Sequence, residues 1–153
     1  MAFPKSRPDY TFDKLLEMKD AGLVAASGAF QVAAANRILA IGTGYFRGDC
    51  VIDVNAIEID TGNESYTFVI QGSTSPTFAS GIANLAELSV GDGSTIGTAQ
   101  GNGVDTNDAT GRFVLPFTNE RNGTYYPYIR GWVVVAGTIA TGINFRAWIS
   151  THN

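Results

Sequence analysis

A chain of 153 residues with 44% hydrophobic residues is long enough for one domain with a sizeable core, because a chain of this size buries about 70% of the surface its unfolded form exposes. A net charge of −4 and a pI near 4.8 argue against nucleic acid as a partner, since phosphate binding needs Lys and Arg gathered on one face. Here Lys5, Lys14 and Lys19, with Arg7, are offset within the same stretch by Asp9, Asp13, Glu17 and Asp20, and the remaining arginines are scattered.

Charged residues make up 16% of the chain, against about a quarter in an average soluble domain. Two accounts fit: another chain covers much of the surface, or Ser, Thr, Asn and Gly solvate it instead. No run approaches the roughly 18 apolar residues that cross a bilayer, and the N-terminus lacks a signal-peptide core. No membrane partner is expected. Cys50 is the single cysteine, so an intrachain disulfide or thiolate cluster is excluded and a small buried hydrophobe is the simple reading.

Residues 1–30 read as an N-terminal arm. Pro4 and Pro8 set an extended start. Leu15, Met18 and Gly22 then allow one or two helical turns stopped by glycine, too short to be stable alone. Such a segment either reaches a neighbouring molecule or straps across its own domain.

Residues 31–153 read as one β-domain. The first apolar run is Arg37–Ile41, closed by Gly42 and Gly44. In the next, Cys50, Ile52 and Val54 share one face while Ile57 and Ile59 have the opposite parity, which predicts a bulge near Asn55. A turn at 60–63 leads to a strand over 64–71 with Tyr66, Phe68 and Ile70 inward. A polar loop over 72–84 precedes a strand near 85–90. The stretch 91–111, rich in Gly, Asn and Asp, reads as a long loop. Alternation resumes with Phe113, Leu115 and Phe117, and Pro116 marks an edge position. Asn122-Gly123 predicts a tight hairpin. It leads to a strand over 125–135, expected to place Tyr126, Tyr128 and Trp132 in the core and Tyr125 and Ile129 on the outer face. A turn over 137–142 and a strand over 143–150 end the chain. Short strands at about ten-residue spacing predict an all-β jelly-roll sandwich of about seven or eight antiparallel strands.

Few residues in the chain carry reactive chemistry. His152, beside the C-terminus, is the single histidine, which leaves no positioned imidazole for a nucleophile's base or a metal. Asp49, Asp53, Glu58, Asp60 and Glu64 cluster along one strand and its turn. They read either as a solvated face or, through Asp53 and Glu58, as an acid pair of glycosidase type. Asp92 and the oxygen-rich stretch 102–108 offer ligands for Ca²⁺ without the spacing of a calcium loop. No catalytic residue, cofactor or metal site is assigned, and a non-enzymatic role is expected.

Several stretches carry a resemblance: Phe3-Pro-Lys-Ser-Arg-Pro-Asp-Tyr10, Val51-Ile-Asp-Val-Asn-Ala-Ile-Glu-Ile59, Tyr66-Thr-Phe-Val-Ile-Gln-Gly-Ser73 with Phe78-Ala-Ser80, and Gly111-Arg-Phe-Val-Leu-Pro-Phe-Thr-Asn-Glu120 continuing to Tyr128-Ile-Arg130. In order and texture this layout resembles the jelly-roll capsid cement (decoration) proteins of tailed bacteriophages. The resemblance implies a virion structural protein made in the bacterial host cytoplasm. It would bind the outside of the capsid, contact the major capsid protein and self-associate as a dimer or trimer. The surface expected to do this comprises Phe3, Pro4, Arg7, Tyr10, Phe12, Leu15, Leu16, Met18, Leu23, Tyr125 and Ile129. The alternative is a carbohydrate-binding or host-attachment sandwich resembling a head fibre, suggested by the exposed acids and tyrosines.

Overall fold

The computed structural model describes residues 12–92 and 110–151. Its strands are β1 (Glu17–Lys19), β2 (Leu23–Val24), β3 (Gly28–Ala29), β4 (Gln31–Val32), β5 (Ala35–Asn36), β6 (Leu39–Ala40), β7 (Arg47–Ile57), β8 (Ser65–Ser73), β9 (Ile82–Gly91), β10 (Gly111–Thr118), β11 (Glu120–Arg121), β12 (Thr124–Tyr125), β13 (Tyr128–Ala136) and β14 (Ile143–Thr151). One sheet runs β1–β14–β7–β10, with β2 also on β14. The other runs β3–β13–β8–β9, with β6 also on β13. All these pairings are antiparallel.

The pairings are nested. Among the eight main positions, the first strand pairs with the last (β1 with β14), the second with the second-last (β3 with β13), then β7 with β10 and β8 with β9. A long antiparallel ribbon wrapped in this way is a jelly roll. The expected all-β sandwich is therefore the fold.

Alternation fills the core as read from the sequence. Tyr66, Phe68 and Ile70 are fully buried, as are Cys50 and Ile52, with Val54, Leu115 and Phe117 nearly so. The bulge falls at Asn55: Phe145 opposes Val54 and Asn144 opposes Ala56, leaving Asn55 as the extra residue. Pro116 lies on β10, which pairs only with β7 among the described strands. The Asn119 N–H bonds to the Phe46 carbonyl. Counting back along the ladder from that bond turns position 116 toward the open edge, where a missing donor costs nothing. Asn122 and Gly123 both take positive φ, 53° and 81°, the two-residue hairpin turn.

Two expectations are corrected. The strand expected over 125–135 is broken at Tyr126-Pro127, and its facing is reversed. Ile129 is fully buried and Val133 nearly so, while Tyr128 and Trp132 are half-buried on the outer face. The space inside is taken by Phe30, whose ring packs on Phe68 and Phe145 at centroid distances of 6.4 and 5.1 Å. A Cβ at Gly131 would stand 2.0 Å from that ring. Aromatic size did not mark the inner face because Tyr and Trp are amphipathic and lie comfortably at a wet surface.

The second correction concerns the arm. Over its described part, residues 12–30, the segment belongs to the sandwich. Only Lys14–Leu16 forms a helical turn, of the 3₁₀ type, with the Asp13 carboxylate capping the Leu15 N–H at 2.9 Å. Residues 17–19 are strand, and Met18 is fully buried in the core. Three cations fasten this stretch. The Arg37 guanidinium donates to the Glu17 and Leu15 carbonyls. The Lys19 ammonium donates to the carbonyls of Asp20, Gly22 and Phe145 at 2.8–3.1 Å and stands 4.5 Å over the Phe145 ring. Arg146 reaches Glu17 at 3.6 Å. The spacing of Leu15, Met18 and Gly22 suits helical turns, but the chain instead completes the edge of β14.

Candidate functional site

Of the residues expected to form an interaction surface, Phe3, Pro4, Arg7 and Tyr10 lie outside the described residues. The others separate into two groups. Met18 and Ile129 are core residues, so neither presents a docking surface, and Leu16 is half-buried against the core. Leu15 (75% exposed), Leu23 (62%), Tyr125 (47%) and Phe12 (38%) face out.

Phe12 opens the described chain against the outer face of the β14–β7–β10 sheet. Its ring meets Trp148 edge-on at 5.7 Å, with the Arg146 guanidinium 3.9 Å above it. Arg112 stands 5.1 Å over Trp148 and forks onto Asp53 at 2.7 and 2.9 Å. Burial of the indole leaves Trp148 Nε1 without a partner among the described residues. Leu15 and Leu23, in contrast, touch water from a backbone held rigid by Arg37 and Lys19. A leucine on a braced backbone costs little further backbone ordering when it is covered.

Tyr125 has a companion the sequence did not reveal. Tyr45, from the loop before β7, is 63% exposed and meets the Tyr125 ring edge-to-face at 6.5 Å. The pair is placed by Asn119, which is fully buried. Asn119 Nδ2 donates to the Gly44 and Tyr126 carbonyls, Oδ1 accepts the Phe46 N–H at 2.7 Å, the backbone N–H donates to the Phe46 carbonyl and the backbone carbonyl accepts the Tyr126 N–H. One asparagine thus ties the Tyr45 loop to the β11–β12 hairpin. Only a buried amide flanked by two turns signals this, and the sequence does not show burial.

The acidic cluster is not a plain solvated face. Asp49, Glu58 and Glu64 are buried. The Glu58 carboxylate accepts the backbone N–H groups of Gly142, Thr141 and Ala140 at 2.6–3.1 Å, which hold it below the usual carboxylate range despite burial. Burial pushes Glu64 up, but the Thr61 hydroxyl and the N–H groups of Thr61 and Asn63 outweigh it and bring it to about 2. Asp53 is held by Arg112, whose pKa that hydrogen bond raises. These carboxylates clamp turns and strands. The Cys50 thiol is pushed up to about 12 by burial and by Asp49, a setting that disfavours the nucleophilic thiolate.

The outer face of the β13–β8–β9 sheet carries a polar chain. Arg130 lies between the Phe78 and Trp132 rings at 4.4 and 4.7 Å. Its Nε donates to Gln71 Oε1 at 2.9 Å, Gln71 Nε2 donates to Asn84 Oδ1 at 3.1 Å, and Asn84 Nδ2 donates to Glu87 Oε1 at 3.0 Å. A cation at one end and an anion at the other fix the orientation of both amides between them. The four residues are dispersed over three strands, so only their register brings them together.

Among the described residues no three His, Cys, Asp or Glu side chains gather as a metal site. The oxygen-rich stretch 102–108 and His152 lie outside the described residues. No described helix is long and apolar enough to cross a membrane. Compared with protein-family models and with curated proteins, the chain matches none.

Proposed function

We propose that this protein is a virion structural protein of tailed-phage type that binds the outside of the capsid and ties neighbouring major capsid proteins together. The observation that carries the reading is the pairing of a jelly roll with exposed apolar side chains, Leu15, Leu23, Tyr45 and Tyr125, on segments tied down by Arg37, Lys19 and Asn119. The layout of the sequence, which resembles the cement proteins of such phages, gives these side chains a partner. Tyrosine and leucine on pre-ordered backbone are good anchors for a protein interface, tyrosine above all. A lattice repeats the contact many times, so modest single interfaces, each of roughly 1,200–2,000 Å² in total, add up to a strongly reinforced shell.

The test is reconstitution. Purified protein is added to capsids lacking it, and bound protein and the temperature of shell rupture are measured. Binding with a raised rupture temperature is the expected result. Neither binding nor any gain in heat resistance would remove the proposal.

A further inference from the structure

Between β9 and the β11–β12 hairpin runs an open groove of about 460 Å³, within the size range of small-ligand sites. Its polar wall is built from Asn84, Arg121, Asn122 and Thr124, and its apolar wall from Ile82 and Tyr126. We propose that this groove binds an acidic saccharide, with the Arg121 guanidinium taking the sugar carboxylate and the Asn84 and Asn122 amides taking its hydroxyls.

These groups are held in place by the fold itself. Arg121 Nη1 donates to the Asn84 carbonyl at 2.6 Å, which orients the planar fork while leaving Nε and Nη2 for a two-bond grip on a carboxylate. The Asn84 amide is set by Gln71 on one side and Glu87 on the other, and each hydrogen-bonded group retains further donor or acceptor capacity. Asn122 sits at φ 53° in the hairpin turn, so its amide projects from a stiff two-residue loop. Tyr126 is anchored by the Asn119 backbone, and its Cβ lies where Gly72 carries no side chain. Its ring offers the apolar wall against which a sugar's C–H face packs.

Among the described residues, Arg121 is the single charged side chain lining the groove. A ligand bringing one negative charge therefore meets a cation there, while the neighbouring Glu87 carboxylate is engaged by Asn84 Nδ2. Hydroxyl-bearing ligands suit the rest of the wall, where Asn84, Asn122 and Thr124 stand beside Ile82, Ala83 and Tyr126. Preorganised donors bind without the entropy loss of ordering flexible side chains. None of Leu15, Leu23, Tyr45 and Tyr125 lines the groove, so saccharide binding and capsid binding are read from separate variants.

The test uses the full chain on a glycan array carrying uronate- and sialate-containing oligosaccharides beside neutral ones of the same length, followed by calorimetric titration of the best acidic hit. Binding confined to the acidic sugars is expected, falling at least tenfold in Arg121→Gln and several-fold in Asn122→Gly. Glycine keeps the turn's positive φ, so that variant retains the hairpin, and unchanged melting curves verify both folds. Absence of binding to every acidic sugar, equal or tighter binding to neutral ones, or unaltered affinity in Arg121→Gln would each overturn the proposal.

Discussion

Glu58 and Gly142 hold each other from both sides. The Glu58 N–H donates to the Gly142 carbonyl at 3.1 Å, and the Gly142 N–H donates to the Glu58 carboxylate at 2.6 Å. Gly142 takes a φ of 93°, and a Cβ there would stand 2.0 Å from the Val24 carbonyl oxygen. The turn between β13 and β14, the end of β7 and the β2 strap therefore meet at one residue that has to be glycine. We predict that Gly142→Ala lowers the melting temperature far more than Gly123→Ala, whose site has open space around it. Equal losses would show that the close approach is unimportant.

Acid should weaken this end of the sandwich. Glu58 and Glu64 both titrate below their ordinary value of 4.5 in the folded protein, Glu64 at about 2. The unfolded chain thus binds more protons than the folded one between those values, and stability falls as pH falls. The contribution is complete above about pH 5 and is lost progressively toward the folded pKa values, near 2 for Glu64. Melting temperatures between pH 7 and pH 2.5 should drop below pH 5, and Glu64→Gln should flatten the slope. A slope unchanged in that variant would assign the acid sensitivity elsewhere.

The N-terminal segment is part of the folding unit from residue 17 onward. Met18→Ala should destabilise by about 3 kcal/mol, in line with emptying a closed core site, and Ile129→Ala by a similar amount. Lys19→Met should cost about 2 kcal/mol by stranding carbonyls that the ammonium satisfies. Urea unfolding would measure all three. A Met18→Ala loss within about 0.5 kcal/mol would return this segment to the status of a detachable arm.

The exposed anchors should behave in the opposite way. Leu15→Ser, Leu23→Ser and the double change Tyr45→Ala with Tyr125→Ala should leave stability within about 1 kcal/mol while lowering capsid binding at least tenfold. Unimpaired binding by all three would place the contact elsewhere on the molecule.

Cys50 provides an internal reporter. With its thiol fully buried and pushed up to about 12, it should resist a thiol-specific reagent at pH 8 until the sandwich opens. Labelling at the rate of a free thiol in native buffer would contradict its burial.

The sequence by itself determined the all-β class, most strand positions, the Asn55 bulge, the Asn122-Gly123 hairpin and the edge placement of Pro116. Each of these follows from local rules: side-chain alternation, a parity slip, positive φ and a missing donor. Only the tertiary structure decided which face of β13 is buried. Phe30 fills the space over Gly131, so Ile129 turns inward and Trp132 outward. It likewise decided that Glu17–Lys19 is a strand, because the open edge of β14 needs a hydrogen-bonded neighbour and Met18 fits the core. The acidic run 49–64 looked like a solvated face because the backbone donors that receive Glu58 lie about eighty residues away. Asn119, Tyr45 and the Arg130–Gln71–Asn84–Glu87 chain stayed hidden for the same physical reason. Their partners come from other strands, and strand register is set by the whole wrap rather than by any window of sequence.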